Sequence, residues 1–441
     1  MWSLFEKDEI CNCGKPHISS IKNVLTGSGT IKFLAEEATK LNIKKAFVLA
    51  DENTYEVAGK TATKILSDAG ILYTKHVFGM ERLAPDEKTL GMAIMQFDTS
   101  CDGIIAIGSG VINDIGKILS NITGKPYIIV ATAPSMDGYA SQTSSMERGG
   151  LKVSINSRCP DVIIGDTDVL KNAPLHMMKS GIGDMIAKYV SVCEWRIGNV
   201  ILGEYYCENI ASLIRSALKK CVDNAENLLR RDEKAVEAVF EGLVIGGVAM
   251  AYAGVSRPAS GGEHYMSHIW DMRGLEFGLS TELHGIQCAY ATYLTICIYE
   301  RIKKIMPDKE KALKYAMEFD FGKWSDELRL FLGKGAEQMI AQEEHEGKYN
   351  VEKHKDRLNV IIENWNKIVE IINEELPDME FIDKLFKQIE LPDSCEKTGV
   401  ERELLPMSFK SSKDIREKYV LPRLVWDLGI MDEVCSFINN I

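Results

Sequence analysis

Strand-like apolar runs alternate with helical stretches over the first third of the chain, and this alternation limits the fold more than any other feature. The strand-like runs are Lys44–Ala50, Ile71–Val77, Gly103–Gly108 and Tyr127–Ala131. The helical stretches between them are Tyr55–Ala69, Lys88–Phe97 and Val111–Asn121. Strands separated by single helices predict a parallel sheet that is covered on both faces. Residues 151–169 add further strand-like pieces, notably Asp161–Gly165.

From about Leu170 the apolar spacing becomes helical and stays so to the end of the chain. We therefore predict an α/β nucleotide-binding domain over residues 1–169 and an all-α domain over residues 170–441. The helical stretches predicted there are Asp184–Arg196, Tyr205–Asn227, Lys234–Tyr252, Gly285–Ile305, Lys309–Phe319 and Val351–Glu374. The charged stretch 320–376 is either an inserted, solvent-facing helical excursion or a set of ordinary helices with solvated faces, and the second interpretation is favoured.

The composition is that of a soluble globular protein, with 45% hydrophobic and 26% charged residues in a chain of 441. The net charge of −12 argues against a nucleic-acid surface and against docking on anionic lipid. No stretch has the roughly 18 or more apolar residues that a bilayer span needs. The first residues carry charges and lack an apolar run, so we expect a cytoplasmic protein.

Cysteine usage fits that compartment, because eleven cysteines in a long chain without a signal are expected to be reduced thiols. Most are scattered in apolar segments, as Cys193, Cys288 and Cys297 are, and are expected in the core. Cys11 and Cys13 differ, because they stand with His17 in C-N-C-G-K-P-H. This is either a metal clip or a polar turn. A structural zinc site needs four ligands and no fourth lies nearby in sequence, so the turn is favoured.

A glycine turn links the third strand to a helix in G-I-I-A-I-G-S-G-V-I-N-D-I-G-K, residues 103–117. Gly108 and Gly110 allow a ligand to approach the backbone closely, and the N-terminus of the next helix attracts a pyrophosphate. Asn113 stands where the usual dinucleotide fingerprint has its third glycine. The turn therefore predicts either a nucleotide site or a tight connection without a ligand.

Two further polar segments follow strands of the predicted sheet. Asp51 comes directly after the first strand and either accepts hydrogen bonds from an adenosine ribose or caps the next helix. The run A-T-A-P-S-M-D-G-Y-A-S, residues 131–141, follows the fourth strand and is rich in hydroxyl groups. A loop at this edge of a sheet can hold ribose, nicotinamide and substrate, although ordinary turns use the same residue types.

Three of the eight histidines fall within 21 residues: His264, His268 and His284. The first two are four residues apart and share one face if their segment is helical. A carboxylate with two imidazoles leaves positions open for substrate on a metal. Asp184 is the best candidate for the carboxylate, because it is an acidic residue entering an apolar helix. Each residue alone is more often structural than a ligand.

Four ordered blocks join these features into a resemblance that covers about residues 20–300. They are G-S-G-V-I-N-D-I-G-K, T-A-P-S-M-D-G-Y-A-S, S-G-I-G-D, and G-G-E-H-Y-M-S-H with a later L-H-G. In these blocks the chain resembles the bacterial type of the sn-glycerol-1-phosphate dehydrogenase family, within the iron-containing alcohol dehydrogenase and dehydroquinate synthase superfamily. The second block is the most specific, since related glycerol and alcohol dehydrogenases differ around the aspartate.

The resemblance implies where cofactor, metal and substrate bind. NAD or NADP would lie along the residues of the glycine turn and the hydroxyl-rich loop, with Asp51 at the adenosine ribose. These cofactor residues are Asp51, Gly108, Gly110, Val111, Ile112, Asn113, Asp114, Thr132, Ala133, Pro134, Ser135 and Ser141. One zinc or nickel ion would be held by Asp184, His264 and His284. Asp137 and His268 would face the substrate, with Asp184 near enough to touch it.

The implied reaction is reversible reduction of dihydroxyacetone phosphate to sn-glycerol 1-phosphate by a homo-oligomer, a dimer or larger. A carboxylate at position 51 would favour NAD over NADP, because it repels a 2′-phosphate. Arg148, Lys152, Arg257 and Arg273 are the cations near the motifs for the substrate phosphate. The alternatives are a glycerol or other polyol dehydrogenase, a non-redox lyase of the dehydroquinate synthase type, and a silent binding module. The intact ligand set weighs against the last.

Overall fold

The computed structural model describes residues 10–79, 83–149 and 151–440, which form two compact units. Unit 1 comprises Met1–Met185 and Ser212–Val255, and unit 2 comprises Ile186–Ala211 and Ser256–Ile441. Neither unit is one continuous segment, so this division differs from the predicted one at residue 169. The sequence could not show it, because the returning segment 212–255 is helical like the rest of the second half.

The sheet of unit 1 has six strands, all paired in parallel. The strands of the described chain are β1 (Asn23–Gly27), β2 (Lys45–Asp51), β3 (Leu72–Phe78), β4 (Gly103–Gly108), β5 (Tyr127–Ala131), β6 (Thr143–Arg148), β7 (Leu151–Asn156) and β8 (Val162–Asp166). Their order in the sheet is β1-β8-β5-β4-β2-β3, and β6 and β7 form a separate antiparallel pair. The predicted parallel sheet is confirmed, and β2, β4, β5 and β8 lie within a residue of their predicted positions.

The central strands are buried along their whole length because helices cover the sheet. Every residue of β4 and β5 is buried, which explains why these strands are continuous apolar runs instead of alternating ones. The β1 strand, at one edge, was not predicted. Its sequence, NVLTG, is short and half polar, and it becomes a strand through its parallel pairing with β8.

The helices cover the sheet in unit 1 and form nearly all of unit 2. They are α1 (Leu34–Lys40), α2 (Glu52–Thr54), α3 (Lys60–Asp68), α4 (Glu87–Gln96), α5 (Gly110–Thr123), α6 (Thr167–Leu170), α7 (Leu175–Ile186), α8 (Lys188–Leu202), α9 (Glu208–Asn224), α10 (Glu233–Ala253), α11 (Gly262–Phe277), α12 (His284–Ile302), α13 (Lys309–Met317), α14 (Phe321–Leu332), α15 (Gly335–Glu346), α16 (Val351–Glu363), α17 (Trp365–Glu375), α18 (Met379–Ile389), α19 (Leu405–Ser412), α20 (Leu421–Asp427) and α21 (Met431–Ile438).

Short helical segments complete the list. Tyr55–Gly59 is a π-helical turn between α2 and α3, and five 3-10 segments are Thr30–Phe33, Asp137–Ala140, Ala225–Arg230, Cys395–Lys397 and Arg402–Leu404. Two predicted helices are each divided in two. Asp184–Arg196 is split at Ala187, so that Asp184 ends one helix instead of beginning another, and Val351–Glu374 is split at Asn364.

Among the described residues, one helix is long and apolar enough to cross a bilayer, although the sequence predicted none. This is α10, and 78% of its most apolar window is buried within the protein. Within unit 1 it packs on the 3-10 turn Asp137–Ala140 and on β1. A buried core helix and a membrane span share this apolar composition. Because most of its apolar window is buried within the protein, α10 is a core helix.

Unit 2 is built on one large apolar core, to which the charged stretch 320–376 contributes. Trp324, Leu328, Ile340, Ile361 and Ile372 are all buried in that core. Their helices are amphipathic, with the charged residues on the faces turned away from it. The interpretation of ordinary helices with solvated faces therefore fits, and the solvent-facing excursion does not. No disulfide joins the eleven cysteines, all of which lie among the described residues.

A buried charged cluster lies within the helical core of unit 2. Asp414 is fully buried, and its carboxylate accepts hydrogen bonds from Tyr349, Lys413 and Arg423. Burial lowers the pKa of Lys413 to about 8, against an ordinary value of 10.5, although the neighbouring Asp414 opposes the shift. The charged lysine is therefore held in the folded protein at a cost in free energy.

This cost predicts that the destabilising contribution of Lys413 decreases as pH rises from about 8 to 10.5. In that window the unfolded state binds more protons at Lys413 than the folded state does, so this residue's contribution to the free energy of unfolding increases with pH. We expect Lys413→Met to remove this contribution, so that the difference in free energy of unfolding between variant and parent, measured in urea, changes with pH. Lys410→Met is the control, because Lys410 is partly exposed and pairs with Glu327. Parallel pH profiles for Lys413→Met and the parent would contradict the assignment.

Candidate active site

The glycine turn lies between the carboxyl end of β4 and the start of α5, as the sequence predicts. Gly108 has no room for a side chain, since a Cβ there would lie 2.5 Å from the Cβ of Ile112. Gly110 is less restricted: a Cβ would be 3.7 Å from Met136, an ordinary contact. Packing within the turn thus requires glycine at position 108. This reason is additional to the close approach of a ligand that the sequence predicts. No side chain of the described residues caps the N-terminus of α5.

The polar residues of α5 hold the hydroxyl-rich loop in place. The amide of Asn113 donates to Gly138 O at 3.2 Å, and the ammonium of Lys117 donates to the same carbonyl at 3.0 Å and to Ser141 at 3.1 Å. Asp114 pairs with Lys117 at 2.8 Å. Burial raises the pKa of Asp114, and the Lys117 charge opposes that shift. Asn113, Asp114 and Ser141, predicted as cofactor residues, therefore also have a structural task.

The hydroxyl-rich loop is also fixed to α7. Ser180 donates to Ser135 O at 2.9 Å, and a Cβ at Gly181 would lie 1.9 Å from Pro134 O. One turn further along α7, the Asp184 carboxylate is fully buried and accepts the Asp137 N–H at 2.9 Å. The carboxylates of Asp137 and Asp184 lie within 4.8 Å of each other. Two acidic groups from blocks 47 residues apart in sequence are therefore neighbours.

Asp51 caps a helix, which is one of the two tasks that the sequence allowed. Its carboxylate accepts the Thr54 N–H at 2.9 Å, and the Thr54 hydroxyl accepts the Asp51 N–H at 3.0 Å. This reciprocal pair begins α2 at the carboxyl end of β2. The bond from Thr54 uses one carboxylate oxygen, so the cap is compatible with a second hydrogen bond to a ribose.

In unit 2, His264 lies in the first turn of α11 and is almost fully buried. Its Nδ1 is 2.7 Å from the Glu263 carboxylate, which also accepts the Gly261 N–H at 2.8 Å. A carboxylate accepts this hydrogen bond, so Nδ1 is the protonated nitrogen and Nε2 carries a lone pair. This carboxylate–imidazole pair is the arrangement that orients histidine ligands of metals.

His284 begins α12 and is oriented in a similar way. The Ser267 hydroxyl donates to Gln287 at 2.6 Å, so its oxygen accepts from Nδ1 of His284 at 2.9 Å. The ring centroids of His264 and His284 are 5.0 Å apart, and the ring of His268 stacks on His284 at 5.8 Å. The three histidines, which are close in sequence, are thus also close in space within this unit.

Cys288 is buried, as predicted, and its thiol also lies beside the two imidazoles. Its thiol is 3.5 Å from Nε2 of His284, and the ligand atoms of His264, His284 and Cys288 all lie within 4.8 Å of one another. A helical register could have indicated this position, because residue 288 is four residues after 284 on α12. The thiol is fully buried.

A second buried carboxylate supports the start of α11. Glu194 accepts the Gly262 N–H and the Leu421 N–H, each at 2.7 Å. Burial and the charge of Glu263 raise the pKa of Glu194 to about 8. The backbone of the turn that carries His264 thus donates hydrogen bonds to two acidic side chains, Glu194 and Glu263. Glu263 was not predicted, although its position directly before His264 in G-G-E-H was a visible signal.

Two of the four cations considered for the substrate phosphate have strong partners inside unit 2. Arg257 makes a two-pronged contact with Glu204, at 2.6 and 2.5 Å. Arg273 donates to Phe331 O and lies over the rings of Phe277 and Phe331. Both arginines therefore have structural tasks. Arg148 ends β6 and Lys152 lies in β7, on the antiparallel pair of unit 1.

Comparison with known proteins relates this arrangement to metal-containing dehydrogenases. The model of the iron-containing alcohol dehydrogenase family matches residues 25–174. The chain is 33% identical over 301 residues to glycerol-1-phosphate dehydrogenase [NAD(P)+] of Halalkalibacterium halodurans. The matched residues cover 67% of this chain and 75% of that protein. It is 32% identical over 279 residues to the enzyme of the same name from Methanosarcina mazei, covering 63% of this chain and 76% of that one.

Solved structures extend the likeness in fold over the whole chain. The glycerol dehydrogenase of Schizosaccharomyces pombe superposes with a TM-score of 0.58 at 17% identity, covering 99% of this chain and 93% of that one. At this identity the superposition shows a shared fold and leaves the substrate open. It confirms the predicted class, an α/β domain with a parallel sheet followed by a helical region.

Proposed function

Because the chain belongs to the glycerol-1-phosphate dehydrogenase family of iron-containing alcohol dehydrogenases, we propose that it reduces dihydroxyacetone phosphate to sn-glycerol 1-phosphate. The chain is an NAD(P)-dependent oxidoreductase by that membership. The proposal adds the phosphorylated substrate, the product's stereochemistry and the residues that act. In the balanced reaction, the ketone gains a hydride from NAD(P)H at carbon and one proton at oxygen, and the oxidised nucleotide is released.

The observation that carries the proposal is that hydrogen bonds orient the side chains of all three predicted metal ligands. His264 and His284 each have Nδ1 held by a neighbouring side chain, so each presents Nε2 as a donor. Asp184 is fully buried and accepts the N–H of Asp137. Carboxylate oxygen and imidazole nitrogen are both ligands that zinc accepts. From the family resemblance we propose that these three residues hold one zinc or nickel ion.

The donor set fits a catalytic metal, because two imidazoles and one carboxylate leave coordination positions for substrate. When bound, a divalent metal there supplies positive charge beside the substrate carbonyl, where negative charge develops during reduction. The chain's own residues set the geometry: Glu263 and Ser267 fix the rings, and the Asp137 N–H fixes Asp184. Cys288 adds a soft donor 3.5 Å from His284, which favours zinc or nickel over a hard cation.

For the cofactor we propose that the pyrophosphate lies over the start of α5. The uncapped N–H groups of this helix offer hydrogen bonds and a partial positive charge. Thr132, Ala133, Pro134 and Ser135 then follow the nucleotide along the carboxyl end of β5. The Ser180 hydroxyl donates to Ser135 O, which anchors this loop to α7.

The proton for the new hydroxyl comes from His268 or Asp137 in this scheme. His268 is partly exposed and stacked on His284, and Asp137 is partly exposed beside Asp184. Either side chain can anchor a substrate hydroxyl and pass a proton to the alkoxide. Replacing each residue alone distinguishes the two roles. Loss of the proton donor should lower kcat, whereas loss of a hydroxyl anchor should raise KM.

A substrate panel tests the proposal. The purified chain is supplied with NADH or NADPH and with dihydroxyacetone phosphate, dihydroxyacetone or an aldehyde, and loss of reduced nicotinamide absorbance is followed. We expect the phosphorylated ketone to give the highest kcat/KM. A preference for dihydroxyacetone would instead establish a polyol dehydrogenase. Turnover of none of them would leave the non-redox lyase as the better interpretation.

Asp51 provides a prediction on cofactor choice. We expect Asp51→Ser to raise the ratio of kcat/KM with NADPH to that with NADH by about tenfold, which corresponds to about 1.4 kcal/mol. The carboxylate repels a 2′-phosphate, whereas serine removes the charge and still caps α2. Steady-state kinetics with both nucleotides measure the ratio. An unchanged ratio in a variant of unchanged stability would show that Asp51 is only a helix cap.

A further inference from the structure

The amino-terminal segment C-N-C-G-K-P-H forms a tight turn that brings three ligand atoms together. The Cys11 N–H donates to Lys15 O at 3.1 Å, and the Gly14 N–H donates to Cys11 O at 2.8 Å. Gly14 has a φ of +82°, a conformation that favours glycine. Ile10 and Pro16 pair as an antiparallel bridge across the base of the turn. The ligand atoms of Cys11, Cys13 and His17 all lie within 4.8 Å of one another.

His17 is oriented as metal-binding histidines are. The ring is 5% exposed, and its Nδ1 lies 3.1 Å from Tyr252 O, at the end of α10. A carbonyl oxygen only accepts, so Nδ1 must carry the proton, and Nε2 therefore carries the lone pair. That Nε2 faces the Cys13 thiol at 3.4 Å. A backbone carbonyl bound to the far nitrogen is a usual second partner of a zinc-ligating imidazole.

The distances match a tetrahedral centre. Zinc binds thiolate sulfur at about 2.3 Å and imidazole nitrogen at about 2.0–2.1 Å, so two such ligands at the tetrahedral angle are about 3.6 Å apart. The observed 3.4 Å between Cys13 Sγ and His17 Nε2 is close to that separation. A simple S–H···N hydrogen bond explains this pair alone. It does not explain why the Cys11 thiol converges on the same point.

We propose that Cys11, Cys13 and His17 bind a structural zinc ion, separate from the predicted catalytic metal. Two thiolates and an imidazole form a soft donor set that suits zinc, and tetrahedral coordination adds a fourth donor. The ion fastens the amino-terminal turn to the end of α10 through the His17–Tyr252 contact. Binding stabilises the folded chain because the unfolded segment has no preformed site. This inference does not depend on the proposed reaction.

Metal content tests the site directly. We expect zinc measured by mass spectrometry on the full-length protein to fall by one equivalent per chain in Cys11→Ser/Cys13→Ser, with a lower thermal midpoint. The matched control is Cys101→Ser, a buried cysteine of the same unit that contacts Thr74. Equal zinc content in the folded double variant and in the control would overturn the proposal.

Cobalt provides a second measurement if the double variant does not fold. The wild-type protein reconstituted with Co²⁺ should show a thiolate-to-cobalt charge-transfer band in the near ultraviolet. The band should persist in Cys288→Ser, which removes the thiol beside the predicted catalytic histidines, and in His17→Cys, which keeps a donor at that position. It should weaken in His17→Ala. No band in the wild type, or a band lost only in Cys288→Ser, would refute the site. Serine substitution of each remaining cysteine then identifies the fourth ligand if it is a thiol.

Discussion

We expect the His264→Ala variant to lose the catalytic metal and about a thousandfold or more in kcat. A divalent metal held there would contribute several kcal/mol to stabilising the developing oxyanion, and each 1.4 kcal/mol or so is tenfold in rate. Removing the imidazole also leaves the Glu263 carboxylate buried without its His264 partner, so we expect a lower thermal midpoint as well. Metal analysis and steady-state kinetics with dihydroxyacetone phosphate measure the two losses.

His345→Ala is the control for that experiment, because His345 is an exposed histidine of the same unit on α15. It should keep the parent's metal content and rate. The assignment of His264 as a ligand would be wrong if its alanine variant kept a full equivalent of metal at the chelator-sensitive site. Metal loss without a loss of rate would instead remove the catalytic role and leave a structural one.

Gly181→Ala should be the most damaging single-methyl change in unit 1. The added Cβ would lie 1.9 Å from the carbonyl oxygen of Pro134, so the helix or the hydroxyl-rich loop must move. Overpacking of this kind costs about 1–3 kcal/mol. Asp184 follows one turn later on the same helix and contacts the same loop. A shift of about 1 Å there can cost about a hundredfold in rate, and we expect kcat/KM to fall by that order.

Gly91→Ala is the matched control for this substitution. Gly91 lies within α4, and a Cβ there meets no described residue within 4 Å. Because alanine is the better helix former by about 1 kcal/mol, this variant should be as stable as the parent or more stable, with unchanged kinetics. Urea unfolding and initial rates of both variants provide the comparison. Equal stability and rate for Gly181→Ala would show that α7 and the loop can separate without consequence.

Much of the α/β unit could be predicted because its central strands are buried on both faces. Burial of this kind requires continuous apolar runs, and β2, β4, β5 and β8 are visible as such in the sequence. The edge strand β1 was missed because its identity depends on pairing with β8, 139 residues away in register. The split between α7 and α8 was missed because both halves share one apolar spacing across Ala187.

The site was predictable to the extent that it is local in sequence. His264 and His268 lie on one helix, and both of their rings lie near the ring of His284 within unit 2. Ser267, Cys288 and Lys117 were missed, because their contributions depend on contacts that only the folded chain creates. Asp51 is the reverse case, because the sequence showed the residue and left its role open. A helix cap and a ribose ligand both need a carboxylate at this strand end.

The membership of the family supports an oxidoreductase, and the ligand geometry supports a metal at its centre. What connects them is the proposed transfer of hydride from the nicotinamide to the ketone carbon of a phosphorylated triose. Incubation with NADH deuterated at both positions of C4, followed by mass spectrometry and chiral analysis of the product, tests that transfer directly. We predict that the product is sn-glycerol 1-phosphate carrying one deuterium at C2. Product without deuterium at C2, or no reduced product from the metal-replete protein, would contradict the account.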